Sequence, residues 1–279
     1  MLLAIGDLVE DVLVVLPGPP ILGTDTTCRI VRSRGGSAAN VAVAAAEMAG
    51  RARLLARVGG DDLGERLIAT LERDGVDTGF IQRVGATGSI VVLVGTDAER
   101  TMLVDRGASA DLEPDLGALE GVDAVHVPAY GLDQSAGMLA AARQRGILCS
   151  IDASSFGLLR QAGPTWWREH LAALAPDVLF ADAGEAALLG IADEPPPGVP
   201  LVVVKDGHRP ARVLVAGRVP IEVPAEVVEG VVDTTGAGDH FAAGWLTATL
   251  AGADPAEAAT AGHRLAATTI VRVGAGVAP

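Results

Sequence analysis

Short apolar runs broken by glycine-rich polar turns dominate the chain. Residues 2–5 are apolar and are closed by Gly6 and Asp7, the pattern of a buried strand that ends at a turn. Runs at 54–58, 80–84, 124–127, 147–151, 178–180 and 201–204 repeat it. Longer stretches of mixed spacing lie between several of these runs and predict helices at 37–48, 63–71, 135–145 and 166–174. Strand and helix alternate as right-handed βαβ units require, so the pattern predicts an α/β fold with a mostly parallel central sheet.

Two regions break this alternation. Residues 12–16 and 28–31 are short β-branched runs separated by a proline cluster that starts at Pro17. Residues 89–94 and 101–104 read as a hairpin around 95–100. Together the four runs predict a small separate sheet. Near the end, a hairpin at 212–216 and 219–223 leads to helices at 240–250 and 255–271. No internal repeat and no clean boundary divides the chain, which favours one domain over residues 1–279.

Composition narrows the partners. Thirty-five carboxylates against 21 lysines and arginines leave a formal charge of −14, which disfavours nucleic acid and anionic membrane as partners. Lys205 is the only lysine, so backbone N–H groups must do much of the work if phosphate is handled. Cys28 and Cys149 stand far apart with no metal-ligand spacing, and the five histidines are scattered, so neither a disulfide framework nor a structural zinc site is expected. Asp7 and Glu10 come too early for a signal peptide, and no apolar run has the length of a membrane span. A soluble, cytoplasmic protein is the expectation.

The chemistry concentrates in residues 233–244, D-T-T-G-A-G-D-H-F-A-A-G. Gly236, Ala237 and Gly238 feed a helix whose first N–H groups have no internal partners and suit an anion. Asp239 sits in that anion site, where a carboxylate would repel phosphate unless it took a proton from a hydroxyl. No G-x-x-x-x-G-K-[ST] and no G-x-S-x-G occurs, and the run has only two glycines of a dinucleotide fingerprint, far from the first strand. Gly35 and Gly36 open another helix, which on local reading is capped by Ser37.

Residues 233–244 resemble the C-terminal signature of the ribokinase-like (PfkB) carbohydrate kinases, and G-G-S-A-A-N-V-A at 35–42 resembles their N-terminal signature. The likeness extends to Gly6 and Asp11, V-G-G-D-D-L-G from Val58, E-R-T-M-L-V-D-R-G-A from Glu99 and V-R-V-G-A at the end. It therefore covers nearly the whole chain. The resemblance implies a three-layer α/β/α fold with a small β-sheet lid, formed by about 12–34 and 86–106. It also implies transfer of the γ-phosphoryl of ATP to a sugar hydroxyl, with Asp239 as base and Gly236, Ala237 and Gly238 as anion hole. An aspartate of ordinary pKa, kept ionised by the helix end, is expected to suffice.

By the same resemblance, Asp11, Gly35, Gly36 and Asn40 would hold the sugar, and Lys205, Gly207 and His263 the nucleotide. Asp182 and Glu185 stand where the family usually has Asn-x-x-Glu, linked to Mg²⁺ through water. Pro210 replaces a common glycine in the nucleotide turn. Asp233 and Gly274 match a loop that holds a monovalent cation such as K⁺. His240 beside the base has no assigned role. Neither lid segment contains Phe, Tyr or Trp, which favours a sugar or sugar acid over a nucleoside that needs an aromatic to stack its base. Arg32, Arg34, Arg100 and Arg106 stand at lid strand ends as candidate ligands for a carboxylate or phosphate. A nucleoside kinase is the alternative. A sugar-binding regulator without turnover is disfavoured by the intact base and anion hole. A homodimer through the lid is expected.

Overall fold

A computed structural model describes residues 1–95 and 100–271. The first half of the chain forms β1 (Leu2–Ile5), β2 (Val9–Val15), β3 (Arg29–Gly35), α1 (Ser37–Ala49), β4 (Ala52–Val58), α2 (Asp62–Arg73), β5 (Val76–Arg83), β6 (Thr87–Val94) and β7 (Arg100–Gly107). The second half forms β8 (Ala124–Pro128), α3 (Leu132–Gln144), β9 (Leu148–Asp152), α4 (Phe156–Ala162), α5 (Pro164–Leu174), β10 (Val178–Asp182) and α6 (Ala183–Leu189). It closes with β11 (Leu201–Lys205), β12 (Ala211–Val215), β13 (Ile221–Val223), α7 (Ala237–Leu250) and α8 (Pro255–Thr269).

Among the described residues, nine strands make the central sheet in the order β13-β12-β11-β10-β9-β8-β1-β4-β5. The seven from β11 to β5 run parallel, and β12 and β13 add an antiparallel edge. Side chains alternate between its faces. Leu2, Ala4, Val178, Phe180 and Val203 join one core with α1, α7 and α8, whereas Leu3, Ile5, Leu179, Val202 and Val204 join a second core with α3, α5 and α6. The expected three-layer α/β/α architecture follows, because strands buried on both faces need helices on both. Trp245 of α7 meets Phe180 edge-on at 5.5 Å, which seats that helix on the sheet.

The second sheet has the order β3-β2-β6-β7, with β2 and β6 parallel and the outer pairs antiparallel. The four predicted runs do pair with one another. Boundaries differ where apolar content is a poor guide. β5 begins at Val76, ahead of the expected 80, because its first residues lie on an edge strand with few apolar positions. The seven-residue α4 has too few turns to show a period. α8 ends at Thr269 rather than at 271. No helix among the described residues is long and apolar enough to cross a membrane.

Candidate active site

β1 is flanked by β4 on one side and β8 on the other, so the crossovers leave in opposite directions and a crevice opens at the strands' carboxyl ends. A cleft of about 610 Å³ lies there, with Ile90, Met102 and Val104 of the second sheet on its rim. Asp7 after β1, Tyr130 after β8, Asp152 ending β9, Asp182 ending β10 and Lys205 ending β11 all line it.

At one end, Asp239 in the first turn of α7 meets the first turn of α1. Ser37 Oγ donates to Asp239 Oδ1 at 2.6 Å, and Asn40 Nδ2 donates to Oδ2 at 2.8 Å. Asn40 Oδ1 in turn accepts from buried Arg34 Nη1 at 2.8 Å, which fixes the amide's orientation. The sequence expectation that Ser37 caps α1 is corrected. Gly36 occupies the cap position at φ 101°, no side chain caps the helix, and the Ser37 hydroxyl serves the carboxylate instead. A Cβ on Gly36 would lie 2.2 Å from the Asp7 carbonyl oxygen, so only glycine lets α1 start this close to β1.

Asp11 lies over Gly35, where an added Cβ would stand 2.1 Å from Asp11 Oδ1. Burial pushes the Asp11 carboxyl up to about 6, Arg34 opposes the rise, and Asp239 and Asp233 reinforce it. Asp239 is also raised, by burial above all, with the Ser37 and Asn40 hydrogen bonds pulling the other way. The expectation of an ordinary pKa for Asp239 is thereby overturned, since the helix end does not outweigh its desolvation.

Two of the arginines expected at strand ends to greet an anionic substituent, Arg32 and Arg106, are engaged in ion pairs, while buried Arg34 keeps Nε and Nη2 without a partner among the described residues. Arg106 Nε and Nη2 grip both oxygens of Asp7 at 2.9 and 2.6 Å, and Arg32 Nη1 donates to Glu10 at 2.5 Å. Nothing is described of the Arg100 side chain.

The turn that leads into α7 leaves backbone N–H groups open. Gly236 is left-handed at φ 75°, and the first helical bond of α7 runs from His240 N–H to Gly236 O. Gly238 and Asp239 precede that bond, and their N–H groups have no partner among the described residues. Ala237, expected in the anion hole, differs: its N–H donates to Thr234 O at 3.2 Å and closes the turn. His240 Nδ1 lies 2.9 Å from Gly236 O, so the side chain braces the same turn.

Lys205 Nζ donates to Asp152 Oδ2 at 2.6 Å beside this turn. Asp182 and Glu185 form a capping box: Glu185 N–H donates to Asp182 Oδ1 at 2.7 Å and Asp182 N–H to Glu185 Oε2 at 2.8 Å. Asp182 is therefore the cap of α6, and Glu185 lies in its first turn. Burial first, then Asp152, raise Glu185 to about 7. Gly207 and His263 reach the far lining, where His263 stands edge-on to Phe241 at 5.0 Å. Asp233 is buried and its Oδ1 accepts from Thr235 N–H at 2.8 Å. Gly274, its expected companion in holding K⁺, lies outside the described residues. No group of three or more potential ligands able to hold a metal occurs among the described residues.

Four participants escaped the sequence reading: Asp7, Tyr130, Asp152 and the Ser37 hydroxyl. The first three follow strands, and a polar residue at the carboxyl end of a predicted parallel strand was the available signal.

Comparison with known proteins points one way. The model of the pfkB family of carbohydrate kinases matches residues 22–279. An ATP-dependent ribose-1-phosphate kinase from Halopiger xanaduensis is 34% identical over 257 residues, covering 89% of this chain and 84% of that protein. Fructokinase-2 from Zea mays is 30% identical over 237 residues, covering 76% and 69%. Among solved structures, Arabidopsis thaliana ribokinase complexed with ribose and ATP superposes with a TM-score of 0.84 at 22% identity, over 98% of this chain and 93% of that one. Adenosine kinase from Sinorhizobium meliloti gives 0.85 at 22% identity, over 99% and 95%. At that identity the two structures establish a shared fold.

Proposed function

Because the chain belongs to the pfkB family of carbohydrate kinases, and is thus a phosphotransferase acting on a sugar alcohol, we propose that its cleft passes the γ-phosphoryl of ATP to a hydroxyl of a neutral sugar. One observation carries the reading: Asp239 stands in the first turn of α7, beside unpaired N–H groups, and its carboxylate also accepts from Ser37 and Asn40 in the first turn of α1. The carboxylate thus borders both the phosphate site and the polyol site.

In the reaction, Asp11 accepts from sugar hydroxyls above Gly35 and Gly36, while Asn40 offers its amide. The acceptor hydroxyl gives its proton to Asp239 as its oxygen bonds to the γ-phosphorus and the bond to the β-phosphate oxygen breaks, releasing ADP. The left-handed Gly236 shapes the turn, and the N–H groups of Gly238 and Asp239 face the charge as it develops. Lys205, Gly207 and His263 border the ATP end. The Glu185 and Asp182 carboxylates are hard oxygen donors in a site that raises Glu185, and so they fit Mg²⁺, held through water. Bound there, the ion would neutralise phosphate charge.

A neutral acceptor is favoured by the charges at the sugar end. Asp7, Asp11 and Asp239 line it, Arg106 is spent on Asp7, and Arg34, which bonds Asn40 through Nη1 alone and has no partner for Nε and Nη2 among the described residues, is buried and does not line the cleft. Tyr130 supports a second reading. It brings to the cleft wall the aromatic ring that the second sheet lacks, so a nucleoside could stack there. An ADP-release screen over pentoses, hexoses, sugar acids, sugar phosphates and nucleosides tests both. We expect a free pentose or hexose to exceed its acid or phosphorylated counterpart by at least about tenfold in kcat/KM, the penalty of about one uncompensated like charge. Turnover confined to nucleosides would establish the second reading, and turnover confined to anionic sugars would refute both.

The second sheet suits a lid that excludes water from the acceptor. Asp11, Leu13, Val31 and Val92 face inward, so Ile30, Val91, Leu93 and Leu103 face out, with Ile30 and Leu103 more than half exposed. That apolar outer face fits a second copy of the chain. Sedimentation equilibrium is expected to give about twice 28.2 kDa, with Leu103→Asp shifting the population toward monomer. A wild type that sediments as monomer at all concentrations rules the dimer out. Cys28 and Cys149 are both free thiols, in keeping with a cytoplasmic, ATP-supplied setting.

A further inference from the structure

Lys205 has more to do than border a nucleotide. The cleft is lined by seven carboxylates, and Lys205 is its one lysine or arginine among the described side chains. A tetraanionic nucleotide must nevertheless enter. The ammonium is placed for the hardest part of that task. A Cβ built on Gly238 would lie 3.1 Å from Lys205 Nζ, so the charge stands directly against the first turn of α7, where the unpaired N–H groups and the base are. Beneath it the Phe180 ring lies 6.0 Å away, and Asp152 holds it at 2.6 Å. Burial alone would lower the ammonium's pKa, but Asp152, Glu185 and Asp239 reverse that and keep it charged.

We propose that Lys205 is a catalytic residue of the transfer, its ammonium contacting the γ-phosphoryl oxygens as the group passes between ADP and the sugar, and that Asp152 is its positioning residue. No bond to Lys205 forms or breaks. The phosphorus exchanges its bridging oxygen for the sugar oxygen, the proton goes to Asp239, and Lys205 keeps its three hydrogens throughout. Its contribution is largest when charge has spread over the equatorial oxygens, so it acts on kcat more than on nucleotide affinity. The inference rests on the phosphotransferase reading and adds a group to it.

The test uses the full chain, ATP and the best acceptor from the screen. Lys205→Met is expected to lower kcat by about 10²- to 10³-fold with ADP affinity and sugar KM almost unchanged. Asp152→Asn should lower kcat by about tenfold, and the double variant should be no slower than Lys205→Met alone, because Asp152 acts through the lysine. Lys205→Cys in a Cys28→Ser chain, alkylated with bromoethylamine, restores an ammonium at the same reach and should recover much of the lost kcat, which a merely structural role would not predict. Retention of kcat by Lys205→Met, a loss confined to nucleotide KM, additive single losses, or no recovery on alkylation would each overturn the proposal. The unmodified chain in the same assay separates this from a failure of the kinase reading, which would show as no ADP release at all.

Discussion

Asp239→Asn is expected to remove turnover, lowering kcat by about 10²- to 10⁴-fold, the range that loss of a general base produces. The substitution suits its surroundings better than the loss of charge suggests. Ser37 Oγ can rotate to accept from the new amide, and the remaining oxygen can still accept from Asn40 Nδ2, whose orientation Arg34 fixes. The site should therefore keep its shape. It also loses a buried carboxylate that desolvation already penalises, so ATP affinity should be unchanged or slightly tighter. An interaction made only in the transition state lowers kcat and kcat/KM together, and that is the expected signature. Single-turnover ADP release alongside calorimetric ATP binding reads both quantities. Retention of most of the wild-type kcat would remove Asp239 from the base position, whatever happens to binding.

The proposed base, Asp239, was legible in the sequence because its neighbours are unusual: two glycines and an alanine before an apolar helix have few other uses. Asn40 was legible only through the resemblance of residues 35–42 to the family's N-terminal signature, since the local pattern there reads as a capped helix. Other participants were not, and topology explains why. Asp7, Tyr130 and Asp152 follow or end three different strands, and they meet only because β1, β8 and β9 run parallel and present their carboxyl ends at one edge. No local spacing connects them. Ser37 was misread for the opposite reason, since local rules make a serine before a helix a cap. Here the left-handed Gly36 takes the cap position and frees the hydroxyl for a carboxylate 202 residues away. Burial is also absent from a sequence, and with it the upward shifts of Asp239 and Glu185.

Desolvation sets up the second large effect, in which stability and activity move in opposite directions. Asp11→Asn is expected to stabilise the fold at pH 8 while raising the sugar KM by about 10²-fold, since a carboxylate accepts two hydroxyl hydrogens where the amide oxygen takes fewer. The Asp11 carboxyl is held at about 6 against an ordinary 3.8. For a group raised on folding, the stabilising contribution is complete below the unfolded pKa and is lost as pH rises through the folded one. Between about pH 4 and pH 7 the wild type should therefore lose up to about 3 kcal/mol that the asparagine variant, which does not titrate, retains. Urea unfolding of both chains at pH 4.5, 6 and 8 measures it, and the gap should open steadily in favour of the variant. A gap that does not change with pH would mean that Asp11 is solvated in the absence of sugar. The same strain explains why a carboxylate should remain in a place that repels it: Asp239 and Asp233 raise Asp11 further, and the hydroxyls of a bound sugar would supply the hydrogen bonds that burial removes. Sugar binding should in consequence take up stability that the empty cleft lacks, and saturating sugar should narrow the wild-type deficit at pH 8 but not the variant's.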